Sequence, residues 1–103
     1  MKKFTLLFVA TLLVAVSALS QSQRMVLAEE FTSATCGPCA SQNPAFDALL
    51  AQNPDIITSI KYHMSWPSPG NDPMYLQNPT DNNARRAYYG INSVPHVHMD
   101  GGW

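Results

Sequence analysis

Two cysteines, Cys36 and Cys39, are the residues of this sequence best placed to do covalent chemistry. They are the only cysteines in the chain, and Gly37 and Pro38 separate them. If a helix begins at Cys36, this spacing lets the two sulfurs form and break a disulfide without large rearrangement. A thiolate at Cys36 would lie at the helix N-terminus, where unpaired N–H groups and the helix dipole lower the pKa of a thiol. We therefore predict Cys36 as the nucleophile and Cys39, one turn into the helix, as the resolving thiol.

A purely structural disulfide is the competing interpretation of this pair. A bridge across two intervening residues closes a very short loop, and the stabilisation that a disulfide gives by constraining the unfolded chain grows with loop length. Such a bridge would add little stability, which favours a redox role. Gly37 permits a tight entry into the helix, and Pro38 suits its first turn because proline lacks an N–H that would be unpaired there.

The first twenty residues are typical of a secretory signal peptide. Lys2 and Lys3 precede an uncharged, largely apolar run that ends in small residues. Such a segment directs export and is then removed, whereas an uncleaved membrane anchor is the alternative. We predict a signal peptide over residues 1–20 and one domain over residues 21–103, located in the periplasm, in the cell envelope or outside the cell. An exported cysteine pair meets oxidants instead of the cytosolic thiol pool.

Charge and length narrow the classes of function. The chain has a formal net charge of −1, and removal of residues 1–20 leaves four basic residues against seven acidic ones. An acidic balance does not suit nucleic acid, so we predict no nucleic-acid partner. The remaining length can form one small domain, close to the lower limit for a self-sufficient core.

The elements around the cysteines read as strand, loop and helix in direct succession. Residues 25–31 predict a strand, and a short polar loop leads from it to Cys36. Residues 40–52 carry apolar side chains at helical spacing, with Pro44 inside, where a missing backbone donor is expected to kink the helix. Residues 56–62 are rich in β-branched and aromatic residues and predict a second strand, parallel to the first because a helix connects them.

The second half of the domain begins with a proline-rich segment. Residues 63–80 contain four prolines and predict a long surface loop, in which Trp66 and Tyr75 form either a lid or a cover over exposed core. The following residues up to 89 predict a short helix, with Asp81 or Asn82 as its N-cap and Gly90 as its left-handed C-terminal stop.

A third strand is predicted over residues 96–99, followed by turn residues at 100–102. A strand that enters a hairpin turn without a return partner leaves an open edge. We therefore expect a domain that is incomplete at its C-terminus, and we expect residues 21–103 alone to be partly unfolded or self-associating. The predicted fold class is α/β, a central mixed sheet flanked by helices and truncated before its last strand and helix.

The order of these motifs resembles the thioredoxin-like superfamily over nearly the whole exported part. Besides the Cys-Gly-Pro-Cys sequence itself, Glu30 lies six residues before Cys36, where thioredoxins carry a buried acid. Pro44 lies five residues after Cys39, where they carry a kinking proline. Residues 89–95, Tyr-Gly-Ile-Asn-Ser-Val-Pro, look like their approach to a cis-proline loop. The resemblance implies a thioredoxin-like fold.

Within the superfamily, the chain is most similar to the exported, outer-membrane-protein-28-related branch. The residues that carry this similarity are 29–32, 62–63, 72–75 and 100–101. Two positions depart from the thioredoxin pattern, since Thr35 stands where Trp is usual and His96 stands where Thr is usual. The first change removes an apolar platform beside the nucleophile.

The resemblance implies that Glu30 accepts the proton of Cys39 when this thiol resolves a mixed disulfide. That role needs a buried carboxyl, because burial makes a carboxyl hold its proton more readily. A surface glutamate without such a role is the alternative. In a central strand Glu29 and Glu30 point to opposite faces, so we expect at least one of them to be buried.

The resemblance also implies a substrate-binding role for Val94 and Pro95. A cis peptide bond before Pro95 would present the backbone of Val94 to an extended substrate segment beside Cys36, pairing with it like an added strand. An ordinary trans proline in a loop is the alternative.

A metal site is the rival to a redox site. His63, His96 and His98, together with the two cysteines, are residue types that bind zinc or copper. His96 and His98 share one face of their strand, but the sequence does not place that face beside Cys36. We predict no metal site, and the resemblance implies no dissociable cofactor.

These features lead us to expect an exported thiol–disulfide oxidoreductase. Cys36 and Cys39 would form its disulfide, and its partners would be protein thiols and disulfides, with a further redox partner of unknown identity. The Gly-Pro pair between the cysteines resembles that of reducing thioredoxins and favours a reductase or isomerase. The branch resemblance implies association with the outer membrane. The alternative is a non-catalytic binding module of the cell envelope or cell surface with an inert disulfide.

Overall fold

A computed structural model describes residues 1–5, 8, 9 and 22–102 of the chain. The predicted signal peptide lies mostly outside these residues. Within them, no helix reaches the length and apolar character that crossing a bilayer requires.

From residue 22 to residue 102 the chain forms three strands and three helices. In chain order these are β1 (Val26–Thr32), α1 (Gly37–Gln52), β2 (Ile57–His63), α2 (Pro73–Gln77), α3 (Pro79–Tyr89) and β3 (His96–Met99). The predicted α/β class is confirmed, and each predicted strand lies within one residue of its expected bounds.

The three strands form one mixed sheet in the order β2-β1-β3. β1 runs parallel to β2, as predicted, with Phe31 opposite Tyr62. β3 pairs antiparallel to the other side of β1, with Phe31 opposite His96. Because β1 and β3 run in opposite directions, the end of β1 and the beginning of β3 meet at one edge of the sheet.

β1 is the buried centre of this sheet, and its side chains alternate between two covered faces. Glu30 and Thr32 face α1, since Thr32 Oγ1 accepts a hydrogen bond from Asn43 of that helix at 2.8 Å. Glu29 and Phe31 face α3, where the ring of Phe31 meets that of Tyr89 edge-on at 6.0 Å. Glu29 and Glu30 are both buried, so the expectation of at least one buried acid is confirmed.

The helix that carries the cysteine pair starts at the predicted place. Cys36 is its N-cap residue in an extended conformation, and a proline occupies the first turn. Pro44 lies inside the helix. Asn53 ends it, with its backbone N–H bonded to the carbonyl oxygen of Leu50 at 3.1 Å.

The predicted loop over residues 63–80 is wrong for its second half, which contains α2 and the start of α3. Asp72 caps α2, because its carboxylate accepts hydrogen bonds from the backbone N–H groups of Met74 and Tyr75. Pro73 occupies the first turn, where a missing N–H costs nothing. Residues 64–72 remain irregular and are called the insertion segment below.

The predicted N-cap of α3 is also wrong, because the helix begins earlier than expected. Asn78 is the cap, and its side-chain oxygen accepts a hydrogen bond from the backbone N–H of Asp81 at 3.3 Å. Asp81 and Asn82 therefore lie within the helix. The predicted stop at Gly90 is confirmed, since Gly90 adopts the left-handed conformation with φ 65°.

The apolar core lies on the α3 face of the sheet. Its buried members are Phe31, Met64 and Ile91, and partly buried rings and side chains pack around them, namely Tyr62, Trp66, Tyr89 and Val94. Trp66 of the insertion segment thus covers the core, and the guanidinium of Arg86 lies 4.5 Å from its ring centre.

Candidate functional site

The two cysteines form a disulfide at the start of α1, with their Cα atoms 5.2 Å apart. The backbone N–H of Cys39 lies 3.1 Å from Sγ of Cys36 and donates to it. A thiolate at Cys36 would accept the same bond after reduction, which favours the charged form. Cys36 is 3% exposed and Cys39 1%, so both cysteines are buried.

The loop before β3 lies directly beside this disulfide. Sγ of Cys36 is 3.7 Å from the carbonyl oxygen of Val94, and the Val94–Pro95 peptide bond is cis. The predicted cis bond is thereby confirmed. The antiparallel pairing of β1 with β3 explains the proximity, because it brings the residues just before β3 next to the loop that follows β1.

Glu30 lies on the α1 face of β1 and is 1% exposed. It lines a cavity of about 300 Å³ whose other walls are Gln42, Asn43, Phe46, Pro95, His96 and Val97. This cavity therefore connects the predicted acid, the helix turn after Cys39, and Pro95. Both carboxylate oxygens of Glu30 are themselves buried.

Lys61 on β2 compensates the charge of Glu30. Its ammonium lies 3.2 Å from Oε2 of Glu30 and 2.6 Å from Oδ1 of Asp47 on α1. Its hydrogen bond is directed at Asp47, and neither oxygen of Glu30 has a hydrogen-bond partner among residues 22–102. Burial alone would lower the pKa of Lys61, but Asp47 and Glu30 raise it above its ordinary value. Glu30 is thus charge-compensated but free to accept a hydrogen bond.

A second buried carboxylate, that of Asp72, approaches the cysteine loop from the insertion segment. Oδ2 accepts hydrogen bonds from the backbone N–H of Ala34 and from Nδ1 of His63, each at 2.7 Å. Burial raises the pKa of Asp72, yet the hydrogen bonds from Ala34, His63 and the first turn of α2 together hold it below its ordinary value. This contact was not predicted from the sequence. The Asp-Pro pair that starts α2 was the available local signal.

Glu29, on the other face of β1, has its own partners on α3. Arg85 donates two hydrogen bonds to its carboxylate, and the hydroxyl of Tyr89 donates a third. The hydrogen bonds from Arg85 lower the pKa of Glu29 below its ordinary value, with a further contribution from Tyr89 and against the effect of burial. Nothing in the sequence pattern identifies this pairing across 56 positions.

The three histidines do not converge. His63 is bound to Asp72, whereas the rings of His96 and His98 lie 4.9 Å apart on β3, and that of His98 stacks on Tyr89 at 4.0 Å. Burial and the neighbouring His96 lower the pKa of His98. Within the described part of the chain, no group of three or more His, Cys, Asp or Glu side chains could hold a metal ion.

The assembled site can support exchange of a disulfide. It combines a sulfur at a helix N-terminus, a second sulfur one turn further along, a backbone carbonyl of an irregular loop, and a buried carboxylate beside a cavity. The predicted residues Cys36, Cys39, Val94 and Pro95 lie together, and Glu30 reaches the same region through the cavity. Neither a protein-family model nor a curated protein sequence matches the chain.

Proposed function

We propose that this chain is an exported thiol–disulfide oxidoreductase with a thioredoxin-like fold. The observation that carries the proposal is the 3.7 Å distance between Sγ of Cys36 and the carbonyl oxygen of Val94. It places a sulfur at a helix N-terminus beside an irregular backbone segment that an extended substrate could pair with. The strand order β2-β1-β3 and the position of α1 between β1 and β2 are further support.

In the proposed reaction, the thiolate of Cys36 attacks one sulfur of a protein disulfide. The substrate S–S bond breaks, a mixed disulfide forms, and the departing substrate thiolate takes a proton from water. Cys39 then gives its proton to Glu30 and attacks Sγ of Cys36, which releases the second substrate thiolate and leaves the Cys36–Cys39 disulfide. Two electrons pass to the substrate, and an external thiol reductant restores the dithiol.

A non-catalytic binding module with an inert disulfide is the second candidate. The observation that favours it is the burial of both cysteines, because reactive cysteines usually lie in partly exposed positions. Under this interpretation the cell envelope is still the expected location, and the fold serves only to present a surface to a partner.

Selective alkylation distinguishes the two candidates. The full chain is held reduced under mild reductant at neutral pH, treated with iodoacetamide, and digested for mass spectrometry of each cysteine. If the helix N-terminus lowers the pKa of Cys36, its thiol should react about three- to tenfold faster than that of Cys39 at neutral pH. The urea-unfolded chain is the control and should show equal rates. Equal, slow labelling in the folded chain would favour the inert module.

A further inference from the structure

The carboxylate of Asp72 is fully buried and accepts four hydrogen bonds. Oδ1 accepts from the backbone N–H groups of Met74 and Tyr75 at 2.8 and 3.1 Å, and Oδ2 accepts from Ala34 and His63 at 2.7 Å each. The two oxygens therefore serve two separate parts of the chain.

Capping α2 accounts for only one of these oxygens. An N-cap residue needs a single acceptor, and serine or asparagine supplies it as well as aspartate does. A five-residue helix on the surface does not require its cap to be buried. The bonds of Oδ2 need a different explanation, since they reach His63 at the end of β2 and Ala34, which lies 38 positions away in sequence.

The amide of Ala34 belongs to the short loop that delivers the chain to Cys36. A second bond ties the same loop to the insertion segment, because Oγ1 of Thr35 donates to the carbonyl oxygen of Pro67 at 2.8 Å. While the disulfide is closed, Cys39 also restrains the position of Cys36. After reduction that covalent restraint is gone, and the contacts to the insertion segment continue to hold this loop, together with the hydrogen bonds within the loop and to the first turn of α1.

We propose that Asp72 is a positioning residue for Cys36, which fixes the preceding loop so that the sulfur keeps its place at the helix N-terminus in the reduced state. The inference rests on the proposed redox function. It assigns the insertion segment a role in setting thiol reactivity, in addition to covering the core with Trp66.

The variant Asp72→Asn tests this role because it keeps the size of the side chain. In the orientation that preserves the cap of α2, its NH₂ group faces the N–H donor of Ala34, so that hydrogen bond is lost. The exposed Asp81→Asn in the first turn of α3 is the matched control, with the same change of charge and no contact to the cysteine loop.

Loss of the Ala34 bond should destabilise the reduced state more than the disulfide state. Loss of a hydrogen bond to a charged group changes the equilibrium constant between two states by about a factor of ten or more, if the bond is present in only one of them. We expect alkylation of Cys36 in the Asp72→Asn chain to be about tenfold slower at neutral pH, with its pH profile moved upward. The reduction potential should become more negative by about 30 mV, the equivalent of a tenfold change in the equilibrium constant of a two-electron couple. The Asp81→Asn chain should match the unsubstituted one.

A folded Asp72→Asn chain with unchanged alkylation and potential would overturn the positioning role and leave the proposed function intact. Equal, slow labelling of both cysteines in the unsubstituted chain would overturn the proposed function, and the inference with it. If the variant does not fold, hydrogen exchange of the Ala34 amide in the reduced, unsubstituted chain tests whether the bond to Asp72 persists without the disulfide. Protection of this amide is expected, and exchange at the rate of an unbonded amide would refute the inference.

Discussion

Arg85 binds the buried carboxylate of Glu29 at two points. Nη2 of Arg85 donates to Oε2 at 2.9 Å, and Nε donates to Oε1. This contact joins α3 to the central strand β1. A buried carboxylate that loses its cation is left uncompensated, which destabilises a fold more than the intact pair stabilises it.

Replacement of Arg85 by methionine should therefore lower the melting temperature of the chain. The expected decrease is larger than that for Arg24→Met, since Arg24 pairs on the surface with Asp100 and its side chain is 76% exposed. Thermal unfolding followed by circular dichroism measures both. Equal decreases in melting temperature would show that the buried pair contributes no more to stability than the surface pair.

The stability of the chain should fall in acid partly because of Glu29. Its pKa in the folded state is lowered by Arg85, so its contribution is fully present above the pKa of an unfolded glutamate, about 4.3, and is lost as the pH falls through the lower folded value. Urea unfolding between about pH 6 and pH 3 should show this loss. The slope of the unfolding free energy against pH counts the protons taken up on unfolding. Glu29→Gln should lower this count by up to one, whereas the exposed Asp55→Asn should leave it nearly unchanged.

The proposed proton transfer predicts that Glu30→Gln slows resolution but not the first attack. An aromatic disulfide that releases a coloured thiolate reports both steps in rapid mixing. The first release, from attack by Cys36, should keep its rate. The second, from attack by Cys39, should slow about a hundredfold, the lower end of the usual contribution of a general base. Asp47→Asn is the matched control, because Asp47 also pairs with Lys61 but is exposed. If both variants slow the second release equally, the cause is the altered pairing of Lys61 and not a proton transfer to Glu30.

Gly70 should tolerate substitution less well than Gly90. Both have positive φ, 73° and 65°, which costs any other residue about 1 kcal/mol or more. At Gly70 an added Cβ would also overlap the backbone carbonyl of Ser65, whereas at Gly90 it meets no atom within 4 Å. We expect Gly70→Ala to destabilise the chain by about 2–4 kcal/mol and Gly90→Ala by about 1 kcal/mol in chemical unfolding. Equal losses would mean that the insertion segment relaxes freely.

The direction of electron flow is predicted from the Gly-Pro pair between the cysteines, which resembles that of reducing thioredoxins. Across such proteins the potential ranges from about −270 to −120 mV, and about 30 mV corresponds to a tenfold change. We expect a value near the reducing end. Equilibration with glutathione buffers, read by alkylation and mass spectrometry, measures it. A potential near −120 mV would identify an oxidant.

Sequence pattern predicted the elements whose signals are local. The β-branched run of β2 and the left-handed stop at Gly90 each depend on a few consecutive residues. The starts of α2 and α3 were missed although Asp72-Pro73 and Asn78-Pro79 both combine a capping side chain with proline in the first turn. The prolines, Gly70 and Asn71 in the same segment favoured a loop, whereas the structure forms two helices there.

The candidate site could be predicted only where its residues lie in recognisable motifs. Cys36 and Val94 come together because β3 pairs antiparallel with β1, a pairing that the sequence analysis did not specify beyond a mixed sheet. The partners of Glu29 and Asp72 could not be predicted, since any of several basic residues or backbone amides could satisfy a buried carboxylate. Which one does so depends on the packing of α3 and the insertion segment.

Two adjacent acids with partners on opposite faces also restrict how the central strand can align. A slip of one residue in the pairing of β1 would turn Glu29 away from Arg85 and Glu30 away from Lys61, and would remove Phe31 from the core. Each misaligned arrangement would bury charges without partners. The acids of β1 thus act against competing alignments, so the strand that leads to the cysteines has one favourable position in the sheet.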